Sequence, residues 1–339
     1  MSHQLTFLPS GRTCQIEAKE TILAACLRAG LSPVYGCSNG NCGSCKARLV
    51  SGDIARDRHF DHLMSAQEKL DGTFLMCAHR AAGDLEIEAD VTQSAADIPL
   101  QQIDTKVKAI ELLDPRVARL HLQTPRSTRL RFIAGQSVTL RTADGTHTTV
   151  ALANCPCDDR DLMLHIANVP GDAFSEQVFD GGLRPRETVQ LTGPLNDGFH
   201  LNQSDRRDSL ILCWYTGFAP VIGLIEHALS LELERDIHLF RFSPTPGQPY
   251  LPTLGRSWAD AFDNVFATLM PQRISLMSTR EACVEAFEGI AAQFPNHGEM
   301  NIYVAGSPNF VAAAEHVFGT PNRKAGRIRI HVDWQDILA

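Results

Sequence analysis

Four cysteines constrain this chain more than any other feature: Cys37-x4-Cys42-x2-Cys45 in one short stretch, and Cys77 further on. This spacing is that of a four-thiolate [2Fe–2S] site, with two thiolates for each iron. The stretch from Tyr35 reads Tyr-Gly-Cys-Ser-Asn-Gly-Asn-Cys-Gly-Ser-Cys. A loop wrapped round a cluster needs positive φ at several places and must bring backbone N–H groups to sulfur. Glycine beside the cysteines permits both. Zinc is the rival ion for four cysteines. Structural zinc sites usually pair two short C-x2–4-C knuckles, whereas here three ligands share one loop and the fourth stands alone. The metal ligands expected are therefore Cys37, Cys42, Cys45 and Cys77, holding a [2Fe–2S] cluster.

A length of 339 residues with 44% apolar content implies two or three packed domains. The formal net charge of −8, with no Lys/Arg-rich run, argues against a nucleic-acid partner. The first residues show no basic segment followed by an apolar one, and no apolar run is long enough for a membrane span. The expectation is a cytoplasmic protein, and thiolate ligands suit a reducing compartment. Cys155-Pro-Cys157 invites a metal or redox reading; the plainer expectation is two thiols in a loop after a strand. His59, His62 and His79 lack metal-site spacing to a carboxylate and are expected to face solvent.

The segment 1–90 reads as two strands round a Pro-Ser-Gly turn, a helix over 22–27 capped by Thr21 and stopped at Gly30, the cysteine loop, a strand over 46–50, a Ser65–Glu68 capping box and a strand over 85–89. A small, polar, Pro-containing stretch at 91–101 reads as a linker. In 102–206 the pattern is six short strands, at 106–113, 117–122, 137–141, 146–153, 162–166 and 188–191, as in a small antiparallel barrel. From 207 to 339 strands and helices alternate, which implies a parallel α/β sheet.

The first segment resembles a plant-type ferredoxin of the β-grasp fold. The order of the three segments resembles the reductase components of bacterial multicomponent oxygenases, in the ferredoxin–NADP reductase superfamily. The implied fold is multidomain, α+β and α/β: a β-grasp ferredoxin, an antiparallel flavin-binding-like β-barrel, and a parallel nucleotide-binding-like α/β domain. The strand 162–166 with His165, the Val169-Pro170-Gly171 turn and Ser175 resemble the elements that hold the flavin pyrophosphate. Leu191-Thr-Gly-Pro194 and Phe199 resemble the closing barrel motif, with one extra residue. Thr216-Gly217-Phe218-Ala219-Pro220 resembles the turn under the dinucleotide, and Tyr303-Val-Ala-Gly306-Ser-Pro308 a Cys-Gly-Pro-Pro strand end.

At other family positions the chemistry differs. The flavin signature Arg-x-Tyr-Ser/Thr appears as Thr148-Thr149-Val150-Ala151. The Gly-Gly before Thr-Gly appears as Trp214-Tyr215, two aromatics that would fill the nicotinamide's place or lie over it as a lid. The Gly-x-Arg of the next strand appears as Phe242-Ser243-Pro244, and the strand-end Cys as Ala305. Two functions follow from the resemblance. In one, NAD(P)H gives hydride to FAD, which passes single electrons to the cluster and on to a redox partner such as an oxygenase. In the other, the cluster shuttles electrons while the reductase-like part, with hydride transfer weakened or lost, serves as a docking platform. Arg141 is the candidate replacement for the missing flavin arginine. A two-residue Asp144-Gly145 hairpin turn would set it opposite Thr148. No residue is singled out as catalytic.

Overall fold

The computed structural model describes residues 2–57, 63–92, 95–203, 205–244, 249–270, 280–324 and 327–333. His59, His62 and Trp334 fall outside them.

The first sheet runs Arg12–Glu17, Ser2–Leu8, Leu85–Glu88, Lys46–Ser51, Thr73–Leu75 across its width. Ser2–Leu8 pairs parallel with Leu85–Glu88, although its other neighbour is antiparallel. Helix Ile22–Arg28 buries Ile22, Leu23 and Cys26 against Leu5, Phe7, Ile16 and Ile87. Thr21 caps it by accepting from Ala24 N at 3.2 Å, and Gly30 takes φ +70° just beyond its end. Ser65 and Glu68 form the reciprocal capping box on Ala66–Leu70, fixing the approach to Cys77.

Described parts of the 91–101 stretch pair or pack against both neighbours. Val91–Thr92 pairs with Ser32–Pro33, and Ile98 is buried beside Ile133 of the next domain. That domain is a six-stranded antiparallel sheet in the order His147–Ala151, Ser137–Arg141, Thr188–Leu195, Gln101–Asp114, Val117–Gln123, Asp161–Ala167. A bridge between Leu152 and Leu164 joins its two ends into a barrel. Alternation puts Val138, Leu140, Leu120, Leu164 and Leu191 inside.

The last sheet is parallel, ordered Val265–Leu269, Ile237–Phe242, Ser209–Trp214, Asn301–Gly306, Ile328–Val332. The chain builds outward from Ser209–Trp214 in one direction, then returns to build in the other. A crevice opens at that reversal, at the carboxyl ends of Ser209–Trp214 and Asn301–Gly306, where open α/β sheets take their ligands. Among the described residues no helix is long and apolar enough to cross a membrane.

Candidate functional site

The cysteine loop is built as its chemistry requires. Asn41 N donates to Cys37 Sγ at 3.2 Å, while Cys37 N and Ser44 N donate to Cys42 Sγ at 3.3 and 3.4 Å. Gly40 and Gly43 take φ +88° and +77°. A Cβ on Gly36 would stand 3.0 Å from Cys42 Sγ, so glycine keeps the sulfur's space open. Cys45 and Cys77 place their sulfurs 3.2 Å apart. That hydrogen bond draws Cys45 down to about 7, toward the thiolate form that binds iron. Among the described residues no three His, Cys, Asp or Glu side chains converge on one metal position. The thiols stand as two pairs, Cys37 with Cys42 and Cys45 with Cys77, one pair for each iron of a [2Fe–2S] cluster. Cys42 is exposed and the other three are buried. His79 does not face solvent: it is buried, its Nδ1 lies 2.9 Å from Leu75 O, and its ring stands edge-on to Phe74.

Between the barrel and the α/β domain lies a cleft of about 290 Å³. Thr149, Val150, Ala151, His165 and Thr216 line it, so the structure brings five of the sequence candidates together. Ser137, Asp197 and His331 also line it and were not anticipated. Ser137 Oγ donates to Asp197 Oδ2 at 2.8 Å, and His331 Nδ1 lies 3.7 Å from the same oxygen. One carboxylate thus spans from the barrel to the last strand of the α/β domain. His165 Nδ1 lies 3.3 Å from the Tyr250 hydroxyl. Burial, helped by Arg119 and Arg241, pushes His165 down to about 3, so the cleft presents a neutral imidazole. Among the described residues the cleft lining holds no Lys or Arg. It suits a flat ring system, and the phosphates of a dinucleotide would have to be met by a cation outside it.

Thr148, Arg141, Gly171, Ser175, Gly217 and Gly306 do not line this cleft. The hairpin carrying Arg141 and Thr148 has a different register from the one expected. Thr142 N donates to Thr146 O and Gly145 takes φ +91°, so three residues, not two, form the turn. Arg141 therefore pairs with His147, and Thr148 with Leu140 in the core-facing row. Arg141 is exposed and shares the outward row with Thr149, one pair further along. Ser175 Oγ accepts from Val169 N at 2.8 Å and donates to Ala167 O at 2.9 Å, bracing the turn that holds Gly171 at φ +83°.

The two aromatics at the glycine positions behave differently. Tyr215 keeps the left-handed backbone a glycine would have, at φ +45°. Its ring turns into the barrel interface, edge-on to Tyr250, and its hydroxyl donates to Arg116 O at 3.2 Å. The expectation that Tyr215 would fill or cover the nicotinamide's place therefore fails. Trp214 remains at the crevice, half-buried against Phe310. Glycine is obligatory on either side of it. A Cβ on Gly217 would meet Ala305 O at 2.4 Å, and one on Gly306 would meet Trp214 Cβ at 2.7 Å. Cys155 and Cys157, expected as two thiols, are joined as a disulfide.

The cysteine loop packs directly on the barrel. Arg131 Nη2 donates to Ser32 O at 3.3 Å, and the Tyr35 hydroxyl faces Asp159, which Arg129 approaches only to 3.8 Å. Asp159 is 8% exposed and its Oδ2 has no hydrogen-bond partner. Burial outweighs Tyr35 and Arg129 and raises its carboxyl to about 6. A carboxyl raised on folding favours the folded state while protonated. That stability is full below the unfolded value near pH 4 and is lost as pH rises through about 6. Urea titrations at pH 5 and 7 should show wild type losing about 1 kcal/mol more than Asp159→Asn over that interval. Parallel losses in the two proteins would mean that Asp159 ionises normally.

A family model described as the 2Fe-2S iron-sulfur cluster binding domain matches residues 5–82. The chain is 32% identical over 241 residues to the reductase subunit of an aromatic O-demethylase from Amycolatopsis sp., covering 70% of this chain and 72% of that protein. It is 25% identical over 319 residues to the CDP-6-deoxy-L-threo-D-glycero-4-hexulose-3-dehydrase reductase of Yersinia pestis, with 94% of each chain covered. The crystal structure of an Amycolatopsis cytochrome P450 reductase is similar with a TM-score of 0.57 at 25% identity, over 97% of this chain and 98% of that one.

Proposed function

The chain belongs to the family of reductase components that fuse a plant-type [2Fe–2S] ferredoxin domain to a ferredoxin–NADP reductase-like module, and from that premise we propose that it moves electrons from NAD(P)H through FAD and the cluster to an oxygenase or similar acceptor. FAD supplies the conversion of a hydride pair into single electrons, which a one-electron cluster needs. The observation that carries the reading is the packing of the paired-thiol loop on the same barrel that lines the cleft.

The division of labour follows the segments. Residues 1–90 hold the cluster, with Cys37 and Cys42 on one iron and Cys45 and Cys77 on the other. Residues 91–101 connect. Residues 102–206 take the flavin: Thr149, Val150, Ala151 and His165 border its ring, Gly171 and Ser175 hold the adjoining turn, and Arg141 meets phosphate from the outward row. Residues 207–339 take the nicotinamide nucleotide at Thr216, Gly217 and Gly306, in a crevice that Trp214 narrows. A reducing cytoplasm suits the thiolate ligands. The acceptor is a redox protein; the relatives' names include an aromatic O-demethylase, a propane 2-monooxygenase and a sugar-nucleotide dehydrase.

Trp214 at the crevice and a cleft lining without Lys or Arg among the described residues favour a second reading, a carrier that has lost its flavin and hydride chemistry. Absorption spectra before and after acid precipitation separate the two. The reductase releases about one FAD per chain and shows flavin bands beside those of the cluster. A fully loaded cluster with no FAD retained, even after incubation with excess flavin, would establish the carrier.

A further inference from the structure

Cys155-Pro-Cys157 has no part in electron flow from NAD(P)H to the cluster, yet its surroundings are those of a reactive disulfide. The two sulfurs are joined across a separation of 2 residues, and they differ in access: Cys155 is 6% exposed, while Cys157 is open to solvent. His227, on helix Phe218–Ser230, is 2% exposed and sets Nδ1 3.4 Å from Cys155 Sγ. On the other edge of the ring, Gln203 Nε2 donates to His227 Nε2 at 3.1 Å. That leaves the ring proton on Nδ1, between Cys155 Sγ and Ser230 Oγ, the latter at 3.3 Å. Burial pushes His227 down to about 4, so the ring is neutral and offers its Nδ1–H as a hydrogen-bond donor. Asn154 holds the loop from behind, donating to Cys155 O at 3.1 Å and to Asp158 O at 2.8 Å. Disulfides inside reducing compartments are usually transient and catalytic or redox-sensing, and exposed ones are the labile ones.

We propose that Cys155–Cys157, with the His227 Nδ1–H as hydrogen-bond donor to the buried sulfur, is a redox-active disulfide whose substrate is a dithiol. A thiolate of the dithiol, its proton released to solvent, attacks the exposed Cys157 sulfur. The S–S bond breaks toward Cys155, whose thiolate leaves beside the Nδ1–H of His227 and takes a proton from solvent. The second thiol of the donor, deprotonated in turn, attacks the donor sulfur of the mixed disulfide and displaces Cys157, which also takes a proton from solvent, and the donor is left oxidised to a disulfide. Two electrons pass to the pair, and the two protons the donor releases are matched by the two that Cys155 and Cys157 gain.

The test uses the full-length, cluster-loaded protein with dithiothreitol as the probe, followed by acid quench, alkylation and mass spectrometry of the peptide spanning 155–157. The pair is oxidised in protein exposed to glutathione disulfide, is reduced by dithiothreitol, and is reoxidised by the oxidised form of that reagent. His227→Leu slows the reduction about tenfold or more, as loss of a hydrogen bond to a charged leaving group does, with the cluster spectrum unchanged. Cys155→Ala and Cys157→Ala give a measure independent of His227: the thiol left in the first reacts with glutathione disulfide about tenfold faster than the thiol left in the second. A pair that stays as free thiols in glutathione disulfide, a disulfide that resists dithiothreitol, a wild-type rate in His227→Leu, or equal reactivity of the two single thiols would each overturn the proposal.

Discussion

Cys77→Ser protein, purified anaerobically, loses the red-brown chromophore, and its iron falls from about two per chain to a small remainder. The size of the effect follows from geometry. Cys37, Cys42 and Cys45 arrive together on one loop, but Cys77 comes from the separate Met76–Ala78 turn, just after the strand that pairs with Lys46–Ser51. It is the partner of Cys45 at 3.2 Å, so its removal takes one of the two thiolates from one iron. Serine is nearly isosteric, so Phe74, Met76 and Ala78 keep their burial and the domain keeps its core. Circular dichroism should therefore change little while iron and sulfide are lost. Full iron content in the variant would show that another residue supplies the fourth ligand.

Arg141→Ala weakens FAD binding roughly ten- to a hundredfold, the loss of about 1.5–3 kcal/mol from one charge-assisted phosphate contact. Among the described residues the cleft lining holds no Lys or Arg, while a dinucleotide brings two phosphates. Arg141 extends from the outward row that also carries Thr149, and nothing in the register turns it toward the core. Its pairing with His147 rather than Thr148 moves it one pair toward the hairpin tip, within the diagonal reach of about 7–8 Å that a long side chain spans. Titration of flavin fluorescence on deflavinated protein measures the difference. Equal affinity in the two proteins would make Arg141 a solvated strand charge.

The cysteine loop was legible because its chemistry demands both spacing and glycine, and nothing distant enters. The six barrel strands and the central strands of the α/β sheet were legible through alternation or continuous apolar runs. The edge strands were not. Val265–Leu269 buries only its first residue fully, and Ile328–Val332 is half-buried throughout, so neither has a period to read. The hairpin at Arg141 failed by one residue because Asp144-Gly145 fits a two-residue turn as readily as the last two places of a three-residue one. Trp214 and Tyr215 looked equivalent, but neighbours at a strand end point opposite ways, and only one reaches the crevice. Asp197, His331 and Asp159 acquire their settings from residues far away in the chain. No local pattern marks them.

The most direct measurement is anaerobic rapid mixing of the FAD-loaded protein with NADH and with NADPH, following flavin and cluster absorbance together. At least one of the two nucleotides should bleach the flavin first and the cluster after it, with the same final cluster spectrum that dithionite produces. A cluster that dithionite reduces, but that neither nucleotide reduces in flavin-replete protein, would contradict the account.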